Sequence, residues 1–109
     1  MVRHIVLIRF RPDLSESAIA ALWDELAAIR GQLPGIGAIH AGRSESPEQI
    51  ERGYMHGFTV DFADWEALSA YQAHPDHKAL GAKLVAQAQG GLDGILVFDL
   101  PMAVASEAA

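Results

Sequence analysis

Three of the five histidines and both tyrosines fall between positions 54 and 77. They sit in two strings, Gly53-Tyr54-Met55-His56 and Tyr71-Gln72-Ala73-His74-Pro75-Asp76-His77. An imidazole titrates near neutrality, so it takes a proton from an acidic carbon or hydroxyl and later returns it. A phenol beside it donates a hydrogen bond to an enolate or oxyanion, an interaction worth most in a dry pocket. Proton transfer on a carbonyl compound is the chemistry these residue types serve, and it needs no organic cofactor. Other chemistries lack their parts. With no cysteines there are no disulfides, thiol nucleophiles or Cys-ligated zinc. Ser44, Ser46 and Ser69 lie outside any G-x-S-x-G elbow. His74 and His77 with a strand histidine form an alternative metal set, but no carboxylate or cysteine stands at ligand spacing, so no metal is expected.

Four strands and two helical regions must position these groups. Val2 to Phe10 is apolar and β-branched with arginines near its ends, and reads as a strand covered on both faces. Ser15 reads as an N-cap, followed by Ile19, Leu22, Trp23, Leu26 and Ile29 at helical spacing. Leu33-Pro34-Gly35 turns the chain into a weaker strand, Ile36 to Gly42, on which His40 stands apart from the other histidines. Arg43 to Arg52 is a polar connection with a helical turn predicted near Pro47 to Ile50. Tyr54 to Phe62 alternates clearly, with Tyr54, His56, Phe58 and Val60 on one face. Asp64 caps a helix carrying Trp65, Leu68 and Tyr71 on its packing stripe. Asp61 is expected only to cap or solvate. Pro75 ends or kinks that helix, and Asp76 to Gln87 continues it with Leu80 and Leu84. Gly90-Gly91 leads into a last strand, Ile95 to Leu100.

This order is βαββαβ, an α+β ferredoxin-like arrangement: a four-stranded antiparallel sheet with helices on one face. Residues 1–100 form the domain, and 101–109 read as a flexible tail. Ile5, Leu7, Leu96 and Phe98 are expected on the sheet's other face, which is too apolar to stay in water. Two copies meeting sheet to sheet would cover it.

Alternation places His4, Val6, Ile8 and Phe10 on one face of the first strand, beside the face carrying His56 and Phe58. If both look toward the helices, His4 and His56 converge under Tyr71, and His77 swings in past Pro75. His77 is then the candidate base and Tyr71 the candidate donor, with His4, His56, Val6, Trp23, Phe58 and Leu80 around the ligand. The competing reading of His4 and His56 is that of satisfied core histidines.

Charge and hydropathy remove other partners. The net charge is -6, so there is no basic stripe for phosphates and nucleic acid is excluded. No apolar run approaches the roughly 20 residues of a membrane span, and no basic amphipathic face suits a membrane surface. A cytoplasmic location is expected.

The R-H-I-V-L-I-R-F strand, the G-Y-x-H strand and the Y-x-x-H-P-x-H string resemble the stress-responsive A/B barrel domain (Dabb) family over about Val2 to Leu100. The resemblance implies dimers in which two sheets close an α+β barrel. The family's best-understood enzyme is a plant polyketide cyclase that closes a linear tetraketide-CoA by aldol condensation. By that resemblance His77 matches its catalytic base, Tyr71 the tyrosine assisting at the carbonyl, and His4 and His56 histidines of the same cavity. The resemblance also turns the His4/Val6/Ile8 face toward the helices. Leu26 stands where that enzyme has a pocket tyrosine, and the segment after His77 is longer and rich in alanine and glycine. Two readings follow: a cofactor-free cyclase, lyase or isomerase acting on a small hydrophobic or aromatic carbonyl compound, or a non-catalytic stress-responsive dimer with structural histidines.

Overall fold

In the computed structural model, which describes residues 1–102, the alternation of the first strand decides which way the sheet faces. In β1 (Val2–Ile8), Val2, His4, Val6 and Ile8 are buried while Leu7 is 36% exposed. The even face looks toward the helices. The odd face is left open by this chain's own elements, so the cover that its apolar run predicted on both sides is supplied within the chain on one side only. β3 (His56–Phe62) buries His56, Phe58, Val60 and Phe62 on the same side.

The strands are antiparallel in the order β2-β3-β1-β4, with β2 at Ile36–Arg43 and β4 at Ile95–Pro101. Helices α1 (Glu16–Ile29), α2 (Trp65–Ala73) and α3 (Pro75–Gln87) cover one face. This is the ferredoxin-like arrangement, with the core between the even sheet face and the stripes Ile19-Leu22-Leu26-Ile29, Leu68-Tyr71 and Leu80-Leu84. Both expected caps form. Ser15 Oγ accepts from the Ala18 amide at 3.1 Å, and the Asp64 carboxylate accepts from Ala67 at 2.8 Å. Each satisfies an amide that the first helical turn leaves without a partner.

Other expectations fail for local reasons. Between β2 and β3 there is no helical turn at Pro47–Ile50. Gln49 and Arg52 adopt left-handed φ values of 55° and 57°, which break any helix there. Gly53 follows at φ 89° and turns the chain just before β3, so Tyr54 does not share the His56 face. Its ring instead lies under the Arg9 guanidinium, 5.4 Å away, and its hydroxyl donates to the Asp93 carbonyl. Trp65 is 54% exposed at the first position of α2, where burial has not yet begun; the stripe starts at Leu68. Asp61 is no solvated cap. It is 7% exposed and holds Arg3, its cross-strand partner, through two hydrogen bonds of 2.8 and 3.0 Å. Of the expected tail, Pro101 closes β4 and the Met102 amide donates to the Met1 carbonyl; residues 103–109 lie outside the described residues. Among the described residues, no helix is long and apolar enough to cross a membrane.

Candidate active site

Pro75 builds the site. Having no amide hydrogen, it cannot continue the ladder of α2. The Tyr71 carbonyl is instead taken by the His74 amide at 3.1 Å. The Asp76 amide, which would have reached Gln72 in an unbroken helix, goes to His74 Nδ1 at 3.1 Å and caps α3. The Gln72 carbonyl is therefore free, and His77 Nδ1 donates to it at 3.2 Å. A carbonyl only accepts, so the proton must sit on Nδ1, and the neutral ring carries its lone pair on Nε2.

His77 lies against Tyr71 with ring centroids 4.3 Å apart, and His4 meets Tyr71 edge-on at 5.8 Å. Phe62 backs Tyr71 at 5.1 Å, and Phe58 lies 6.3 Å from His4. Beside this cluster opens a cavity of about 250 Å³. His4, Gln72 and His77 form its polar wall, and Val6, Phe58, Leu84, Val85, Ile95 and Val97 its apolar one.

Electrostatics sets the proton states. Burial pushes the Tyr71 phenol up to about 12, so it stays protonated and keeps a proton to donate. Burial also lowers His77 below the ordinary 6.5; nearby His4 adds to this, and the bond to Gln72 opposes it. His77 thus favours its neutral, basic form. His4 is held differently. Its Nδ1 lies 2.5 Å from the Asp99 carboxylate, which accepts a hydrogen bond from Nδ1–H and orients the ring at the cavity wall.

Of the residues singled out from sequence, His4, Val6, Phe58 and His77 line one cavity. Tyr71 stands behind the two imidazoles at 1% exposure. Tyr71 is not itself among the residues lining the cavity. His56 is not brought to His4. It faces the same side but pairs with Ile8, whereas His4 pairs with Val60; four residues of strand, about 13 Å, separate them. His56 lies instead against Phe10 and bonds the Glu16 carboxylate through Nε2 at 3.0 Å. Trp23 packs on Phe10 and Phe58, and Leu80 is core at 2% exposure; neither lines the cavity. His74 spends its Nδ1 on the cap of α3. His40 is exposed on the open face.

Asp99 and the Gln72 carbonyl were missed from sequence. Asp99 had a signal: with Leu96 and Phe98 facing outward, alternation turns Asp99 inward, and the β1–β4 register sets it opposite His4. The freed carbonyl of Gln72 depends on backbone bonding that side-chain pattern does not display.

The chain is similar to proteins already described. It is 32% identical to stress-response A/B barrel domain-containing protein HS1 of Arabidopsis thaliana over 98 residues, 90% of this chain and 86% of that protein. Olivetolic acid cyclase of Cannabis sativa shares 22% identity over 80 residues, 73% of this chain and 79% of the cyclase. A solved structure described as a dimeric ferredoxin-like protein of unknown function, from Jannaschia sp. CCS1, superposes with a TM-score of 0.86 at 34% identity, covering 93% of this chain and 98% of that one. The Dabb profile, the Stress responsive A/B Barrel Domain, matches residues 2–102. The chain belongs to the Dabb family.

Proposed function

We propose that the cavity binds a small, partly hydrophobic carbonyl compound and moves a proton on it without a cofactor. His77 Nε2 removes a proton from the carbon next to the carbonyl, giving an imidazolium and an enolate. The Tyr71 hydroxyl hydrogen-bonds the enolate oxygen as charge develops there. The enolate then either attacks a second carbonyl carbon, forming a carbon–carbon bond as in an aldol-type cyclisation, or is reprotonated elsewhere, as in an isomerisation. The proton held on His77 returns to the product, so the site regenerates. His4, oriented by Asp99, is a further polar contact for the ligand.

The observation that carries this reading is the bond from His77 Nδ1 to the Gln72 carbonyl, which leaves a basic nitrogen for an apolar cavity. Similarity to olivetolic acid cyclase supports carbonyl chemistry of this kind. A non-catalytic role is the second reading, favoured by His56 and His74, which are accounted for by a hydrogen bond to the exposed Glu16 carboxylate and by a helix cap.

The two readings separate without knowing the natural substrate. Wild-type protein should accelerate exchange of the α-hydrogens of simple ketones into heavy water, followed by proton NMR. His77→Ala should reduce that exchange at least about a hundredfold with little change in melting temperature. Equal exchange in the variant, or loss of fold with no exchange in the wild type, would favour the structural role.

We also propose that a second copy covers the open sheet face, where Leu7, Leu96, Phe98 and Leu100 are 36%, 42%, 54% and 40% exposed. The dimeric description of the Jannaschia relative supports this.

A further inference from the structure

We infer that Gly81 sets the size of the apolar tail this cavity admits, and that the ligand is a neutral carbonyl compound whose tail lies across that glycine. The carbonyl half rests on the reading above; the tail half does not.

Gly81 stands in the middle of α3, half-buried, in a helix interior where glycine is a poor choice because of its backbone freedom. Nothing in the packing demands it: a β-carbon built there would meet no atom within 4 Å. The open space is the cavity itself, whose wall Gly81 forms.

The residue's place on the helix gives that space a direction. His77, Gly81, Leu84 and Val85 follow one another at helical spacing on one face. Gly81 therefore lies about 6 Å along the axis from His77, and Val85 about 12 Å. The opposite wall changes in the same sense. Asp99 pairs with His4, then Val97 with Val6, then Ile95 with Ile8. The polar groups His4, Gln72 and His77 thus gather at one end. Val85, Leu92 and Ile95 form the other, with Gly81 between them. No Lys, Arg, Asp or Glu lines the cavity among the described residues. An ionised group buried there would lack a counter-charge, which disfavours anionic ligands. A carbonyl at the imidazoles with an apolar tail passing over Gly81 satisfies both ends.

The test uses 2-butanone, 2-octanone and 1-octanol as probes, titrated by NMR against the His77 ring and the Val6 and Val97 methyls. Wild-type protein should bind 2-octanone at least about tenfold more tightly than 2-butanone, since each buried methylene contributes. Gly81→Leu should remove that advantage and leave 2-butanone within about twofold, because the leucine occupies only the tail path. Gly81→Ala, for which the cavity has room, should fold at least as well as wild type and weaken 2-octanone by a smaller factor. The inference is overturned if folded Gly81→Leu, or Gly81→Ala where the leucine variant does not fold, binds 2-octanone as wild type does. It is also overturned if wild type binds neither 2-octanone nor 1-octanol at these signals. If 1-octanol equals 2-octanone and His77→Ala changes neither, the carbonyl reading falls; selection by length at Gly81 would still support the tail assignment.

Discussion

His77 donates its Nδ1 proton to the backbone carbonyl of Gln72 across the break between α2 and α3, at 3.2 Å. The bond exists because Pro75 supplies no amide and the Asp76 amide caps α3 through His74. One proline thereby frees an acceptor, and that acceptor decides which nitrogen of the candidate base is protonated.

Replacing that proline tests the link. Pro75→Ala permits the Asp76 amide to reach Gln72 in a continuous helix and compete with His77. Nitrogen-15 shifts of His77 should then lose the clean Nδ1–H pattern, and ketone α-exchange should fall about tenfold while circular dichroism stays helical. An unchanged tautomer would show that the break does not govern the base.

Asp99→Asn keeps the shape of the acceptor but removes its charge. The amide can still meet His4 Nδ1, and the ring loses the partner that fixes its proton. Groups that orient an imidazole in this way typically alter function about 10- to 100-fold when changed. We expect exchange to fall within that range, read with the His4 nitrogen shifts. Wild-type exchange with shifted His4 signals would remove His4 from the reaction.

The pH response follows from the direction of the His77 shift. Its imidazole is lowered below 6.5, first by burial, so the folded protein favours the neutral ring. The unfolded chain binds that proton more readily. The associated stability is therefore fully present above about 6.5 and is lost as pH falls through that value and below. Exchange should likewise persist at pH 6.5, where an ordinary histidine is half-protonated, and decline only in more acid solution. NMR titration of His77 checks both; a midpoint at or above 6.5 would contradict the assignment.

For the open face, Leu7→Asp places a carboxylate where the leucine side chain covers Gly57. Sedimentation should report monomers in place of dimers. A well-folded dimer of the variant would move the contact surface elsewhere.

Some of the site was legible because it depends on local rules. Ser15 and Asp64 announce helix starts through their side-chain acceptors, and Pro75 announces a break through its missing amide. Alternation in β1 put His4 and Val6 on one face and Leu7 on the other; that the His4 face meets the helices came from the family resemblance, and the buried His4 and Val6 agree with it. Alternation also misled where it was asked for more than a face. It grouped His4 with His56, although facing the same way does not mean standing side by side. It carried Tyr54 into β3, although the left-handed turn at Gly53 precedes the strand.

The sequence by itself determined the ferredoxin-like order of elements, which residues share a face of the first and third strands and the break before His77, since each follows from period, caps and a residue without an amide. Only the tertiary structure decided that His4 meets Asp99 and Tyr71 while His56 meets Glu16. Those partners are set by the register between strands and by which helix passes overhead. Both are properties of distant segments meeting, and no local pattern in either segment contains them.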